Sequence, residues 1–209
     1  MTSSTVVIVI AGPSGAGKST QIKQLLQRLG NANALRLDSY TSSSVYPESA
    51  KWIDDGADPN EFKIPRLDED VLMLKNGKPV LDPDSGIEIK PAPFLILEEP
   101  FGRGREALRD LIDFVVYVDT PLEVAYIRKL ARKTDFLPWE DNPERFMTNL
   151  RSNIEWYQRV GRRFYLAVSE RVRRDCDLIV DGMRSTEQLM DEIIKNLETK
   201  YDLPDRRSA

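Results

Sequence analysis

Nine residues near the N-terminus, Gly12-Pro13-Ser14-Gly15-Ala16-Gly17-Lys18-Ser19-Thr20, fit the pattern G-x-x-x-x-G-K-[ST] of a phosphate-binding loop. A backbone that wraps an anion must turn successive N–H groups inward. Gly12, Gly15 and Gly17 have no Cβ to oppose the φ values this requires. A helix starting near Lys18 would bring the partial positive charge of its N-terminus to the same point. In such a loop the lysine reaches the β- and γ-phosphates of a nucleotide, and the hydroxyl of Ser19 ligates Mg²⁺. The chemistry implied is that of a nucleoside triphosphate site.

The motif has this meaning only if it leaves a strand and enters a helix. Thr5-Val6-Val7-Ile8-Val9-Ile10 is an unbroken β-branched run, as expected of a strand buried on both faces. Beyond the loop, Ile22, Leu25, Leu26 and Leu29 recur at helical spacing, and Gly30 is placed to end the helix. Further strands are read at 35–38, 94–98, 114–119 and 177–181. Helices are read at 68–75, 120–133, from 142 through 164, and from 185 onward, with the last residues, 200–209, fraying. Strands alternating with helices predict an α/β fold with a five-stranded parallel sheet flanked by helices. Ligands on such sheets bind beyond the carboxyl ends of the strands, where Asp38, Glu98, Asp119 and Asp181 all fall.

A length of 209 residues suits a single domain, 1–209. Within it, 41–93 reads as an insertion rich in proline and aromatic residues, and about 128–163 as a lid region. The net charge of −4 argues against a nucleic-acid surface, and no apolar run reaches the length that spans a membrane. The start, Met1-Thr2-Ser3-Ser4, lacks the basic region of a signal peptide, and the lone Cys176 cannot form an internal disulfide; the cytoplasm is the expected compartment. There is no histidine, so carboxylates must take any acid–base role. Phe146, Leu150, Asn153, Tyr157, Val160 and Phe164 form one helical stripe that packs on the sheet or on a partner, which leaves a homo-oligomer open.

A GTPase requires Asn-Lys-x-Asp after the fourth strand, and a transport ATPase a Ser-Gly-Gly signature; neither string occurs. A small-molecule kinase remains. The phosphate loop, Asp38-Ser39-Tyr40, Leu74-Lys75-Asn76-Gly77-Lys78-Pro79-Val80, Phe94–Glu98 and Cys176-Asp177-Leu178-Ile179-Val180-Asp181-Gly182 together resemble the uridine kinase and phosphoribulokinase family. The resemblance implies a P-loop NTPase three-layer fold with a lid. It also implies ATP and Mg²⁺ as cofactors and a small-molecule hydroxyl acceptor, with neither nucleic acid nor membrane as partner.

Carried over by position, the resemblance makes Asp38 the carboxylate that accepts the proton of the attacking hydroxyl. Glu98 becomes the acid that holds Mg²⁺ together with Ser19, and Asp68 an acid near the acceptor. Tyr40, Trp52 and Asp84 are expected to frame the acceptor pocket with Asp38 and Asp68. Arg128 and Arg132, four apart on one helix face, are expected to neutralise charge on the transferred group, with Arg159, Arg162 and Arg163 a second cluster of that kind. The chain departs from the family after Val80. A Tyr-Asp-Phe then His-x-Arg segment is replaced by 81–90, where only Lys90 stands in for the arginine. The lid carries Phe136-Leu137-Pro138-Trp139 where the family has Arg-Gly-Arg. Two other readings stay open: a nucleoside monophosphate kinase, and a non-catalytic nucleotide-dependent switch.

Overall fold

Strand β1 (Val6–Ala11) lies in the middle of the molecule because its β-branched side chains are buried on both faces. In the computed structural model, which describes residues 5–136, 142–201 and 203, β1 pairs in parallel with β5 (Phe94–Glu98) on one side and β6 (Phe114–Asp119) on the other. The edges are β2 (Ala32–Arg36), paired with β5, and β7 (Leu178–Asp181), paired with β6. The order β2-β5-β1-β6-β7 is parallel throughout, as the alternation of strands and helices predicted.

Alternation along β1 divides the core into two layers. Ile8 and Ile10 face α1 (Lys18–Leu29) and α8 (Thr186–Lys200), packing with Ile22, Leu25, Ile193 and Leu197. Val7 and Val9 face the opposite layer, which includes α3 (Pro65–Lys75) and the helix α7 (Arg162–Arg173). Two shorter helices, α2 (Ser49–Asp54) and α4 (Glu106–Arg109), complete this side with Trp52 and Leu108.

Several elements differ from their sequence-based expectation. The second strand runs over 32–36 rather than 35–38. It is an edge strand with only Leu35 fully buried, so its apolar signal is weak. Asp38 therefore lies past the strand, in a 3-10 stretch over Leu37–Ser43. The loop expected at 41–65 contains α2, capped by Glu48 accepting from the N–H of Ala50 and Lys51, and a 3-10 turn at Pro59–Glu61 capped by Asp58. At 79–93 there is a small hairpin, β3 (Val80–Leu81) against β4 (Glu88–Ile89), whose turn is held by Asp82 accepting from the N–H groups of Asp84 and Ser85. The helix α5 extends over Leu122–Phe136. The helix expected from 142 through 164 begins as α6 (Pro143–Trp156), passes through a π-helical turn at Tyr157–Gly161 and continues as α7. Residues 137–139 of the expected lid, and most of the expected fraying at 200–209, lie outside the described residues. Among the described residues no helix is long and apolar enough to cross a membrane.

Directly after β5 the chain buries a charge. Glu99 is wholly inaccessible, and its Oε2 accepts from Nε and Nη2 of Arg105 at 3.1 and 2.8 Å. The guanidinium, also buried, donates through Nη1 to Asp68 of α3 at 3.0 Å. Burial pushes the carboxyl of Glu99 above its ordinary range, opposed by Arg105. Glu99→Ala would leave Arg105 buried without its main partner, and is expected to lower folding stability by about 3–5 kcal/mol in chemical denaturation. Asp68→Ala, which leaves Glu99 in place, should cost clearly less. Equal, small losses for both would show that the triad does not hold the segment after β5.

Candidate active site

The strand order sets the order of the groups along the carboxyl rim. In neighbouring β2, β5 and β1, Arg36, Glu98 and Ile10 are register partners, so the three strands end side by side. Two residues past Arg36 stands Asp38; Glu98 closes β5; and the phosphate loop leaves β1 toward Lys18.

The loop takes its shape from glycines at positive φ: +145° at Gly12, +90° at Gly15 and +101° at Gly17. Two of them also make contacts that no side chain permits. A Cβ on Gly15 would lie 1.9 Å from the carbonyl oxygen of Ala125 on α5, and one on Gly12 would lie 2.8 Å from that of Val118. Thr120 adds a hydrogen bond from its hydroxyl to the carbonyl of Ala16 at 3.2 Å. The loop is thus moulded against the β6–α5 junction.

Lys18, the first residue of α1, points its ammonium back over the loop, donating to the carbonyl of Pro13 at 3.3 Å with Glu98 Oε1 at 3.5 Å. Burial holds the Lys18 pKa below its ordinary value, while the Glu98 and Asp38 carboxylates act in the opposite direction. A desolvated ammonium of this kind gains strongly from an added anion.

The loop forms one end of a cleft of about 570 Å³ that also takes in Asp38, Glu98, Arg128 and Arg132. Asp38 is exposed. The two arginines differ: Arg128 donates to the carbonyl of Gly182 at 3.3 Å, whereas Arg132 has no hydrogen bond or ion pair among the described residues. The lining also includes an aromatic wall of Tyr46, Phe62, Phe101, Phe164 and Tyr165, together with Ser169. Phe62 and Phe101 have ring centroids 4.7 Å apart. This wall is only faintly legible in the sequence. Tyr46 and Phe62 stand out as packing residues within 41–65, and Phe164 ends the stripe, but nothing in the chain brings them together before the fold does.

Four of the residues expected around the acceptor lie elsewhere. Trp52 is a core residue, edge-on to Phe62 and donating its indole N–H to the carbonyl of Asp58 at 2.7 Å. Tyr40 is buried and donates its hydroxyl to Asp70 at 2.9 Å, which with burial pushes the phenol above its ordinary range. Asp68 belongs to the Arg105 triad. Asp84 lies on the hairpin turn and lines a separate groove of about 420 Å³ with Ser39 and Asp82. Of the four rim acids, Asp119 is paired with Arg173 of α7, and Asp181 accepts from the N–H of Met183 in a turn. Arg162 and Arg163 are tied to Glu123 and Asp54 and do not line the cleft. Among the described residues no three potential metal-ligating His, Cys, Asp or Glu side chains cluster.

Residues 7–136 match the model of the phosphoribulokinase / uridine kinase family. The chain is similar to uridine kinases of Staphylococcus aureus strains JH9 and Newman, 33% identical over 143 residues, covering 62% of this chain and 69% of each relative. Its fold is similar to that of the proposed fructose transport system kinase of Silicibacter sp. TM1040, with a TM-score of 0.50 and 18% identity over 85% of this chain and 90% of that one. A phosphate loop at the end of a central parallel strand and a family match over more than half of the chain lead to one conclusion. The chain belongs to the phosphoribulokinase / uridine kinase family of P-loop kinases, phosphotransferases acting on a hydroxyl group.

Proposed function

We propose that this kinase transfers the γ-phosphoryl group of ATP, with Mg²⁺, to the hydroxyl of a small molecule that carries no phosphate of its own, a nucleoside or another metabolite. The observation that carries the proposal is the composition of the cleft: Asp38 and Glu98 line it with Lys18, and much of the rest of the lining is an aromatic wall of Tyr46, Phe62, Phe101, Phe164 and Tyr165. A phosphorylated acceptor would need cations at that wall, and a carboxylate at Asp38 would repel it. Of the arginines that a monophosphate kinase would use as phosphate clamps, Arg162 and Arg163 are engaged with carboxylates outside the cleft, whereas Arg128 and Arg132 line it; the loss of the first pair weighs against the monophosphate kinase reading.

The residues fit both cofactors. The cradle of Gly12, Gly15 and Gly17 turns backbone toward the cleft, and Lys18 supplies the charge that a β- or γ-phosphate would meet. Ser19 and Glu98, which both line the cleft, would hold Mg²⁺, an ion commonly bound through one or two protein groups plus phosphate and water. When bound, the ion neutralises charge on the phosphates. Asp38 takes the proton of the acceptor hydroxyl as its oxygen bonds to the γ-phosphorus and the bond to the β–γ bridging oxygen breaks. Arg132, unpaired among the described residues, is the cation best free to follow the charge on the transferred group.

Incubation with ATP, Mg²⁺ and a panel of nucleosides, nucleoside monophosphates, sugars and hydroxylated vitamins should yield a hydroxyl acceptor that gains the mass of one phosphoryl group. Asp38→Asn should lose that transfer yet still bind ATP. Transfer onto monophosphates alone, or full activity of Asp38→Asn, would refute the proposal. Lys18→Ala should fold normally and lose about 10²-fold or more in kcat. Arg132→Met is expected to lower kcat with little change in the KM for ATP; an unchanged kcat would assign Arg132 to a solvated helix face.

A further inference from the structure

We infer, on the reading of this cleft as a hydroxyl-kinase site, that the acceptor is an arylalkanol: an alcohol carried on an aromatic ring with few hydrogen-bonding groups, rather than a sugar or a nucleoside. Three rings of the aromatic wall lean on one buried indole. The ring of Trp52, 1% exposed, has its centroid 5.2 Å from that of Phe62, 6.0 Å from Phe101 and 5.0 Å from Phe164. The interplanar angles, 89°, 65° and 45°, fall in the tilted and edge-on range that aromatic pairs favour. Tyr46 extends the row, 5.5 Å from Phe62.

The wall is built before any ligand arrives. Trp52 belongs to α2 and Phe164 to α7, and two hydrogen bonds clamp these segments together. Arg163 donates to Asp54 at 2.6 Å, and Arg171 to the carbonyl of Gly56 at 3.0 Å. The indole N–H is fixed on the carbonyl of Asp58, and the N–H of Phe101 is held by Glu99 at 3.1 Å. A surface already in place needs no ordering on binding, and it gains from each apolar atom it covers.

Polar groups are scarce beside these rings. Beyond the phosphate loop and the charged groups, the polar side chains lining the cleft among the described residues are four hydroxyls, those of Thr41, Tyr46, Tyr165 and Ser169. Thr41 donates its hydroxyl to the carbonyl of Asp38 at 3.1 Å, and the hydroxyl of Tyr165 accepts from Nζ of Lys129 at 3.1 Å. The hairpin of β3 and β4 adds no residue to this lining, and its Asp84 faces the separate groove. A sugar or a nucleobase carries polar groups around its whole edge, and each would leave water without a replacement partner. An aryl ring has none to satisfy. One hydroxyl on a short arm then suffices, because Asp38 lies in the same cleft. The alcohol oxygen bonds to the γ-phosphorus, its proton passes to Asp38, and the β–γ bridging oxygen leaves with ADP.

The test uses the full chain with ATP and Mg²⁺. It compares kcat/KM for benzyl alcohol, phenylethanol and phenylpropanol, whose arms lengthen by one methylene each, with that for uridine and ribose. The best phenylalkanol should exceed both by about tenfold or more. Phe62→Leu removes the ring and keeps an apolar side chain, and should raise the KM for that alcohol about three- to tenfold. Tyr46→Ala changes a residue that is 43% exposed, so folding is not at stake. It should raise the same KM while the KM for ATP and the melting temperature hold. Uridine or ribose outrunning every phenylalkanol would overturn the aromatic acceptor and leave the hydroxyl-kinase reading standing. No transfer to any phenylalkanol, or an alcohol KM unmoved in both variants, would equally overturn it. Transfer onto nucleoside monophosphates alone would overturn the hydroxyl-kinase reading beneath it as well.

Discussion

Three parallel strands ending at one level are the constraint on which this site depends. Because Arg36, Glu98 and Ile10 are register partners, the segments leaving β2, β5 and β1 start from a common edge. Adjacent strands lie about 4.8 Å apart, so charges carried by consecutive strand ends interact strongly whether or not they form hydrogen bonds. Lys18 feels Glu98 and Asp38 in this way, and burial works against its charge from the other side. A slip of one strand would break the alignment and move its core-facing side chains to the wrong face, which ties the site to the two apolar layers.

The segment after β5 shows how that rim is kept rigid without apolar packing alone. Glu98 faces the cleft while Glu99 turns inward to the buried Arg105, so two identical neighbours have opposite surroundings. The inward carboxylate also accepts from the N–H of Phe101 at 3.1 Å, tying the aromatic wall to the same ion triad. By contrast α6 has no buried residue and meets α5 through polar contacts, Tyr126 to the carbonyl of Asn153 and Lys133 to its side chain. A helix held by few apolar contacts is among the first parts of a structure to open. Rigidity is therefore concentrated on the strand side of the cleft.

The fold and the nucleotide end of the site were legible in the sequence for the same reason: both rest on short-range rules. A β-branched run, glycines at fixed offsets and a lysine at the helix start are local, and the structure follows them through β1, the loop and α1. The end of the cleft proposed for the acceptor depends on tertiary placement. Trp52 and Tyr40 are expected from the sequence to frame the acceptor pocket, yet the fold buries both in the core. Asp68 carried no local sign that Arg105, 37 residues later, would claim it. The aromatic wall draws on residues from Tyr46 to Tyr165, the last of them just beyond a π-helical turn at 157–161 that changes the helical phase. No periodicity count registers a π turn, since a stripe spaced by three and four looks unbroken across it.

The contact of Gly15 with α5 is made between main-chain atoms, and this has an evolutionary meaning. Ala125 contributes its carbonyl oxygen, which any amino acid would supply equally well, whereas the partner position tolerates only a residue without a Cβ. The mutational burden of one interface therefore falls wholly on one of its two sides. Substitutions along α5 can accumulate without leaving any trace at residue 15, and a comparison of covarying positions would miss the contact altogether. The tightest joint between the loop and its support is invisible to side-chain statistics.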